Sequence, residues 1–113
     1  MATRANLFVD QGSDFETKIE LENSVSEPLD LTNIVFSGQV RKSPYALTAY
    51  DFTITNDTNN PGTIIIQMDN MTTSSMKGGR YVYDIFGNDT SLGTEFKVLE
   101  GILEIIPQVT RNG

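Results

Sequence analysis

The stretch of sequence that decides the fold lies near the carboxyl end: Arg80-Tyr-Val-Tyr-Asp84, followed by Val98-Leu-Glu-Gly-Ile-Leu-Glu-Ile-Ile-Pro-Gln-Val-Thr-Arg111. In the first segment two tyrosines alternate with valine and aspartate, which is the period of a strand with one buried face. In the second segment Gly101 interrupts a β-rich run that stops at Pro107. A glycine inside a strand usually marks a bulge or a close approach of another backbone, so we expect one of these at Gly101.

The same alternation recurs upstream of these two segments. Apolar residues alternate with charged or polar residues in Phe15-Glu-Thr-Lys-Ile-Glu-Leu-Glu22. This alternation predicts a strand with a solvent-exposed outer face. Clusters of turn formers separate the other apolar runs, and residues 70–76 favour one helical turn at most because Thr and Ser prefer caps and turns. Further strands are expected over Ile34–Arg41 and residues 51–55, 63–68 and 95–99. This pattern predicts an all-β fold, an antiparallel β-sandwich of the immunoglobulin-like type.

The chain length matches one such domain. At 113 residues and 12.5 kDa, the sequence predicts a single β-sandwich domain over residues 1–113, with residues 106–113 as an extended C-terminal tail. The strand pattern also predicts a buried set, because a shift of one residue would expose all of its members. That set is Phe15, Ile19, Leu21, Ile34, Phe36, Val40, Tyr81, Val98 and Ile105.

Composition excludes several classes of function. The chain has no cysteine and no histidine, which removes thiolate chemistry and the commonest general base and metal ligand. A formal net charge of −7 opposes binding to nucleic-acid phosphates. No apolar stretch approaches the roughly 20 residues that span a bilayer, and the first ten residues do not resemble a secretion signal. We therefore expect no cofactor, no metal, no nucleic acid, no membrane and a cytoplasmic site of synthesis.

Two motifs resemble chemical sites and fail on inspection. Residues 57–62 resemble the opening of a calcium loop, but Pro61 occupies a ligand position and Met68 stands where the bidentate glutamate belongs, so a turn is expected. The carboxylate pairs that hydrolysis would need are Asp10 with Asp14 and Asp84 with Asp89. Without histidine or a substrate-binding constellation, these residues are expected to be ordinary turn and strand carboxylates, with Asp84 bonded to a turn or to Arg80.

One feature of the sequence would be explained by a contact with another protein. In residues 101–107, Leu103 and Ile105 share one face of the strand, while Ile102 and Ile106 share the other face with Glu104. Apolar residues on both faces indicate either contact with another subunit or a central strand under covering loops, and the pattern leaves both open. The candidate protein interface consists of Ile102, Leu103, Ile106, Pro107 and Val109.

The chain resembles the small β-sandwich virion structural proteins of tailed bacteriophages, a group that includes the N-terminal domain of upper baseplate proteins. The family pattern is a QG turn, a proline-leucine-threonine segment, a glycine turn, a G-x-Y-x-Y/F-D strand and a closing E-G-x-x-x-I-x-P-x-V-T strand. The residues that match it are Gln11, Gly12, Pro28, Leu29, Leu31, Thr32, Gly62, Gly79, Tyr81, Tyr83, Asp84, Glu100, Gly101, Pro107, Val109 and Thr110.

This resemblance implies a non-enzymatic structural component of the virion, made in the bacterial host cytoplasm. Its partners would be other virion proteins in the tail, baseplate, neck or capsid, contacted as a homo-oligomer or symmetric array. The alternative is a carbohydrate- or receptor-binding module of a tail device, in which Tyr45 and Tyr50 would stack on the ligand. A small hydrolase is the third hypothesis, and the sequence offers no constellation for it.

Overall fold

The computed structural model describes residues 3–22, 25 and 27–110, which form nine strands and one short helix. A turn-rich sequence with period-two alternation forms short strands, and the strands occupy the places where that alternation occurs. The strands are β1 (Thr3–Arg4), β2 (Leu7–Asp10), β3 (Phe15–Glu20), β4 (Ile34–Arg41), β5 (Tyr50–Asp51), β6 (Thr53–Asn56), β7 (Thr63–Met68), β8 (Gly79–Asp89) and β9 (Thr94–Ile106), and the helix is α1 (Asn70–Ser75).

The strands form two packed sheets, so the predicted immunoglobulin-like β-sandwich is confirmed. The larger sheet has the order β1-β9-β8-β4-β5, with β2 also pairing with β9, and the smaller sheet has the order β3-β7-β6. All pairings are antiparallel except those of β1 and β2, which run parallel to β9. The parallel N-terminal strand was not expected from the sequence.

The core lies between the inner faces of the two sheets, and alternation decides which residues reach it. Of the set predicted to be buried, Leu21, Val40, Tyr81, Val98 and Ile105 are buried. The remaining members, Phe15, Ile19, Ile34 and Phe36, are only half-buried. Phe15 and Ile19 lie on β3, which is an edge strand of the smaller sheet and is covered less completely. The helix has six residues, which is more than the single turn expected for residues 70–76.

Gly101 marks a close backbone approach. A Cβ atom at Gly101 would lie 2.0 Å from the carbonyl oxygen of Ala5. Ala5 donates its N–H to the carbonyl of Glu100 at 2.9 Å, and its own carbonyl accepts the Tyr83 hydroxyl at 2.5 Å. The Ile102 N–H donates to the side-chain Oδ1 of Asn6 at 3.3 Å, which takes the place of a backbone carbonyl acceptor at this point. The break between β1 and β2 therefore lies directly over the glycine.

The irregularity in the ladder between β8 and β9 lies elsewhere. Ile85 pairs with Leu99, and the next residue, Phe86, pairs with Lys97, which leaves Val98 as the extra residue on β9. Of the two features expected at Gly101, the close approach is found there and the register shift occurs three residues earlier.

The loop that resembles a calcium site, between β6 and β7, is a turn held by its own aspartate. The Asp57 carboxylate accepts the Asn59 N–H at 3.0 Å and the Asn60 side-chain amide at 2.9 Å. The Lys18 ammonium on β3 lies 3.2 Å from the same carboxylate, which is 5% exposed. Hydrogen bonds from Asn60, Asn59 and Lys18 lower the pKa of Asp57 below its usual 3.8. Donors of the protein itself thus surround the carboxylate, as the predicted turn requires.

The first prediction concerns Gly101→Ala. The added methyl group meets backbone, which cannot move aside like a flexible side chain, so unfolding free energy should fall by about 1–3 kcal/mol or more. Urea unfolding measures the loss, and hydrogen exchange should show it concentrated at β1 and β2. Glu95→Gln, on the exposed start of the same strand, should change stability by less than about 0.5 kcal/mol. Equal stability of Gly101→Ala and the wild type would contradict the close approach.

The second prediction concerns acid. Because the pKa of Asp57 is lower in the folded state, its contribution to stability is present above 3.8 and is lost as the pH falls through the folded value. Asp57→Asn keeps the turn-forming side chain but cannot ionise. Its unfolding free energy should therefore depend less steeply on pH below 3.8 than that of the wild type. The unfolding free energies of both proteins are measured by urea unfolding between pH 2.5 and 7. If they depend on pH in the same way, the loop does not stabilise the ionised form of Asp57.

Candidate protein interface

The outer face of the larger sheet carries the apolar surplus that the sequence indicated. On β8 and β9 the core side is taken by Tyr81, Tyr83, Leu103 and Ile105, so the intervening residues project outward. Val82 lies opposite Ile102 in the ladder. On β2, Phe8 lies opposite Glu104, two residues along from Ile102. We use the term outer face for Phe8, Val82, Asp84, Ile102, Glu104 and Ile106 and the charged side chains around them.

Apolar side chains on this face remain accessible to solvent. Phe8 is 65% exposed and Ile106 is 40% exposed, while Val82 and Ile102 are half-buried. Phe8 and Ile102 line a shallow cavity of about 180 Å³ together with Arg80 and Glu104. Large contiguous apolar patches on a protein surface are typical of contact sites, whereas single exposed apolar residues are ordinary.

Charged residues surround this apolar centre and are largely paired with one another. Glu100 lies between Arg4 at 3.9 Å and Lys97 at 3.5 Å. Glu104 pairs with Arg80 at 3.6 Å. An apolar centre with a polar rim is the usual composition of a protein interface. Because these pairs are solvent-exposed, each contributes little to stability.

Asp84 is the exception among the acidic residues of this face. It is half-buried at the centre of the sheet, beside Gln39 on β4 and Glu100 on β9. Among the described residues its carboxylate has no hydrogen-bond or ion-pair partner. Its expected partner, Arg80, binds Glu104 instead. A larger cavity of about 450 Å³ adjoins it, with Arg41, Val82 and Ile102 in the lining. Arg4 and Lys97 also line this cavity, so three cations of the chain lie around Asp84 without forming an ion pair with it.

The predicted interface set is divided by the structure. Ile106 lies on the outer face, Ile102 lies there partly covered, and Pro107 and Val109 follow β9 as exposed residues, with Val109 at 95%. Leu103 has no exposed surface and belongs to the core, so its place in the interface set was wrong. Residues 107–110 lie outside any strand, and residues 111–113 of the predicted tail lie outside the described residues.

Sequence reasoning missed Phe8, although a signal for it exists. Leu7-Phe8-Val9 has apolar residues on both faces of a strand, the same surplus as in residues 102–106. Leu7 and Val9 are buried, which leaves Phe8 as the outward member. The parallel pairing of β2 with β9 brings that residue next to Ile102 and Ile106.

The start of the tail is fixed against the domain by Gln11. Its side-chain amide donates to the Met76 carbonyl at 2.8 Å, and its Oε1 accepts the Gln108 N–H at 2.9 Å. The following Gly12 has a positive φ of 85°, and its N–H donates to the Thr73 hydroxyl oxygen at 3.1 Å. The QG turn thus joins α1 to the segment after β9 and keeps Pro107 close to the outer face.

The two tyrosines proposed for stacking do not form a pair. Tyr45 is 92% exposed in the connection between β4 and β5. Tyr50 is half-buried and packs edge-on against Tyr81, with ring centroids 6.2 Å apart and an interplanar angle of 85°. The structure therefore brings Tyr50 together with Tyr81 and leaves Tyr45 alone.

Two of the four carboxylates proposed as pairs, Asp14 and Asp89, accept backbone hydrogen bonds. Asp14 accepts the Asn70 N–H at 2.8 Å, and Asp89 accepts the N–H groups of Ser91 and Leu92. Asp84 and Asp89 are five residues apart on one strand and so project to opposite faces. Within the described residues, no group of three or more His, Cys, Asp or Glu side chains is placed to hold a metal ion. The described part of the chain also contains no helix long and apolar enough to cross a membrane.

Comparison with known proteins supports the fold alone. No protein-family model and no curated protein matches the chain. The crystal structure of InlP from Listeria monocytogenes matches 93% of this chain at 14% identity with a TM-score of 0.50. A family 123 glycoside hydrolase from Clostridium perfringens (15% identity, 96% of this chain, TM-score 0.45) and the NK cell receptor Nkp44 (15% identity, 94%, TM-score 0.44) also match. The chain spans 28% of the InlP chain, 24% of the hydrolase chain and 99% of the Nkp44 chain.

Proposed function

We propose that this protein is a non-enzymatic structural subunit that docks onto neighbouring proteins of a tailed-phage virion through the outer face. The observation that carries the proposal is the exposed apolar centre formed by Phe8, Ile102 and Ile106 on one sheet. A strongly acidic chain with such a surface is expected to cover it in an assembly.

The size of this apolar centre favours assembly in many copies. Full burial of a Phe or Ile side chain contributes about 1.5–3 kcal/mol, and Phe8 and Ile106 are already partly covered. The cost of association is about 4–15 kcal/mol, so one such contact alone gives a weak complex. Repetition in a symmetric homo-oligomer or array raises the effective concentration and makes a weak contact sufficient.

One further observation supports the resemblance on which the virion role rests. Three residues of the motifs that match the phage family have structural roles in this fold. Gln11 accepts a hydrogen bond from the Gln108 N–H, Gly101 makes room for the Ala5 carbonyl, and the Tyr83 hydroxyl donates to that carbonyl. The likeness is therefore one of architecture, and the place in a virion comes from the family resemblance. The partners would be other virion proteins, with no cofactor required.

The third prediction tests the outer face with the double variant Ile102→Thr and Ile106→Thr. Thr keeps β-propensity while it removes apolar area, so the isolated domain should fold, with a loss of stability below about 2 kcal/mol. Incorporation into phage particles, measured by quantitative mass spectrometry of purified particles, should fall by about fivefold or more, equivalent to roughly 1 kcal/mol of lost binding.

A matched control is the double variant Met71→Thr and Leu92→Thr. These residues are 80% and 74% exposed, on α1 and on the turn between β8 and β9, so the variant removes apolar surface away from the outer face. Its incorporation should equal that of the wild type. Equal loss in both double variants would overturn the proposed face. Unfolding of Ile102→Thr with Ile106→Thr would assign those side chains to the core, as Leu103→Thr should demonstrate for a true core residue.

A further inference from the structure

Two lysines in the described part of the chain lack a carboxylate partner, although the protein is acidic. Arg4, Lys18, Arg80 and Lys97 each pair with a glutamate or aspartate. Lys42 instead lies 4.6 Å from the centroid of the Tyr81 ring, and Lys77 forms no ion pair among the described residues. Both lysines are solvent-exposed, so an anion from solution can reach their ammonium groups.

Both lysines line one cavity of about 620 Å³. It lies between the connection from β4 to β5 and the segment that links α1 to β8, and Leu47, Thr48, Tyr50 and Ser75 also line it. No aspartate or glutamate belongs to the lining. The volume falls within the range of about 300–1,000 Å³ that is typical of small-molecule sites. It shares no lining residue with the cavities of the outer face.

The walls of this cavity are held in place by hydrogen bonds to their backbone carbonyls. The Arg41 guanidinium donates to the carbonyls of Ala46 at 2.5 Å and Leu47 at 3.5 Å, which fixes the connection after β4. The Tyr81 hydroxyl donates to the Lys77 carbonyl at 2.8 Å, which fixes the opposite wall. Tyr50 packs against Tyr81 between them. A wall that is already ordered loses little conformational entropy when a ligand binds.

We propose that this cavity binds a carboxylate-bearing saccharide. The ammonium groups of Lys42 and Lys77 supply charge-assisted hydrogen bonds to the carboxylate. The Thr48 hydroxyl can bond to a sugar hydroxyl, the Ser75 hydroxyl donates to the Thr72 carbonyl and keeps its oxygen as an acceptor, and Tyr50 offers an aromatic surface with a polar end. Leu47 is 98% exposed at the rim, where it covers the apolar face of a sugar ring. This site goes beyond the proposed function of assembly and does not depend on it.

The experiment titrates the full chain, labelled with ¹⁵N, with tri-galacturonate and follows the amide resonances. Binding should saturate and shift the amides of Leu47, Thr48 and Lys77. The double variant Lys42→Gln with Lys77→Gln should weaken the association about tenfold or more, since hydrogen bonds to charged groups contribute substantially to binding. Arg80→Gln with Lys97→Gln removes the same charge from the outer face, and should change the affinity by less than about twofold.

Several outcomes would overturn the proposal. Equal weakening in both double variants would show general attraction of an anion to a cation-bearing surface. Equal affinity for neutral maltotriose would remove the role of the carboxylate, and tighter binding of the acidic peptide acetyl-Glu-Glu-Glu-amide would make the site a peptide site. Absence of saturable shifts would show that no acidic saccharide binds. If the lysine double variant loses its fold by circular dichroism, Leu47→Ala provides the test, because an exposed residue there should weaken binding without affecting folding.

Discussion

The rest of the structure depends on the contact between the backbone of Ala5 and Gly101. A β-carbon at position 101 would overlap the Ala5 carbonyl oxygen, so only glycine lets the N-terminal segment lie against β9. That carbonyl also receives the Tyr83 hydroxyl from β8, which joins three strands at one point. Burial raises the pKa of this hydroxyl to about 12, so it remains a donor throughout the physiological range. The N-terminal strand therefore pairs in parallel with β9 on both sides of the break.

This parallel pairing builds the outer face. With β2 in register against residues 103–106, Phe8 lies beside the outward residues of β9. Gln11 then holds the chain after β9 through Gln108, so the end of the closing strand stays close to the same surface. The apolar centre is thus assembled from segments almost 100 residues apart in the chain. Loss of the contact at Gly101 would disrupt the proposed interface and would also destabilise the domain.

The charged residues fall into two classes, carboxylates that are bonded within turns and charged groups that form no ion pair. Asn60, Thr72 and Ser91 donate hydrogen bonds that lower the pKa values of Asp57, Asp69 and Asp89, so these carboxylates serve the turns and the helix cap in which they lie. Among the described residues, Asp84 on the outer face and Lys42 and Lys77 in the cavity between the two loops form no ion pair, although Arg4, Arg41 and Lys97 line the same cavity as Asp84. The motif that resembles a calcium loop is structural, because the Asp57 carboxylate is bonded within its own turn. The groups that form no ion pair lie on the two surfaces for which partners are proposed, the outer face and the cavity between the two loops.

The sequence by itself determined the class of fold, most strand positions from β3 onward and the direction of most side chains, because period-two alternation is a local property of the chain. Ile102 and Ile106 on one side and Leu103 and Ile105 on the other follow from it directly. It also marked Gly101 as a special position. Only the tertiary structure decided that β2 runs parallel to β9, that Phe8 joins Ile102, and that Lys42 and Lys77 share a cavity. These relations come from pairing and loop packing between distant segments, on which local periodicity carries no information.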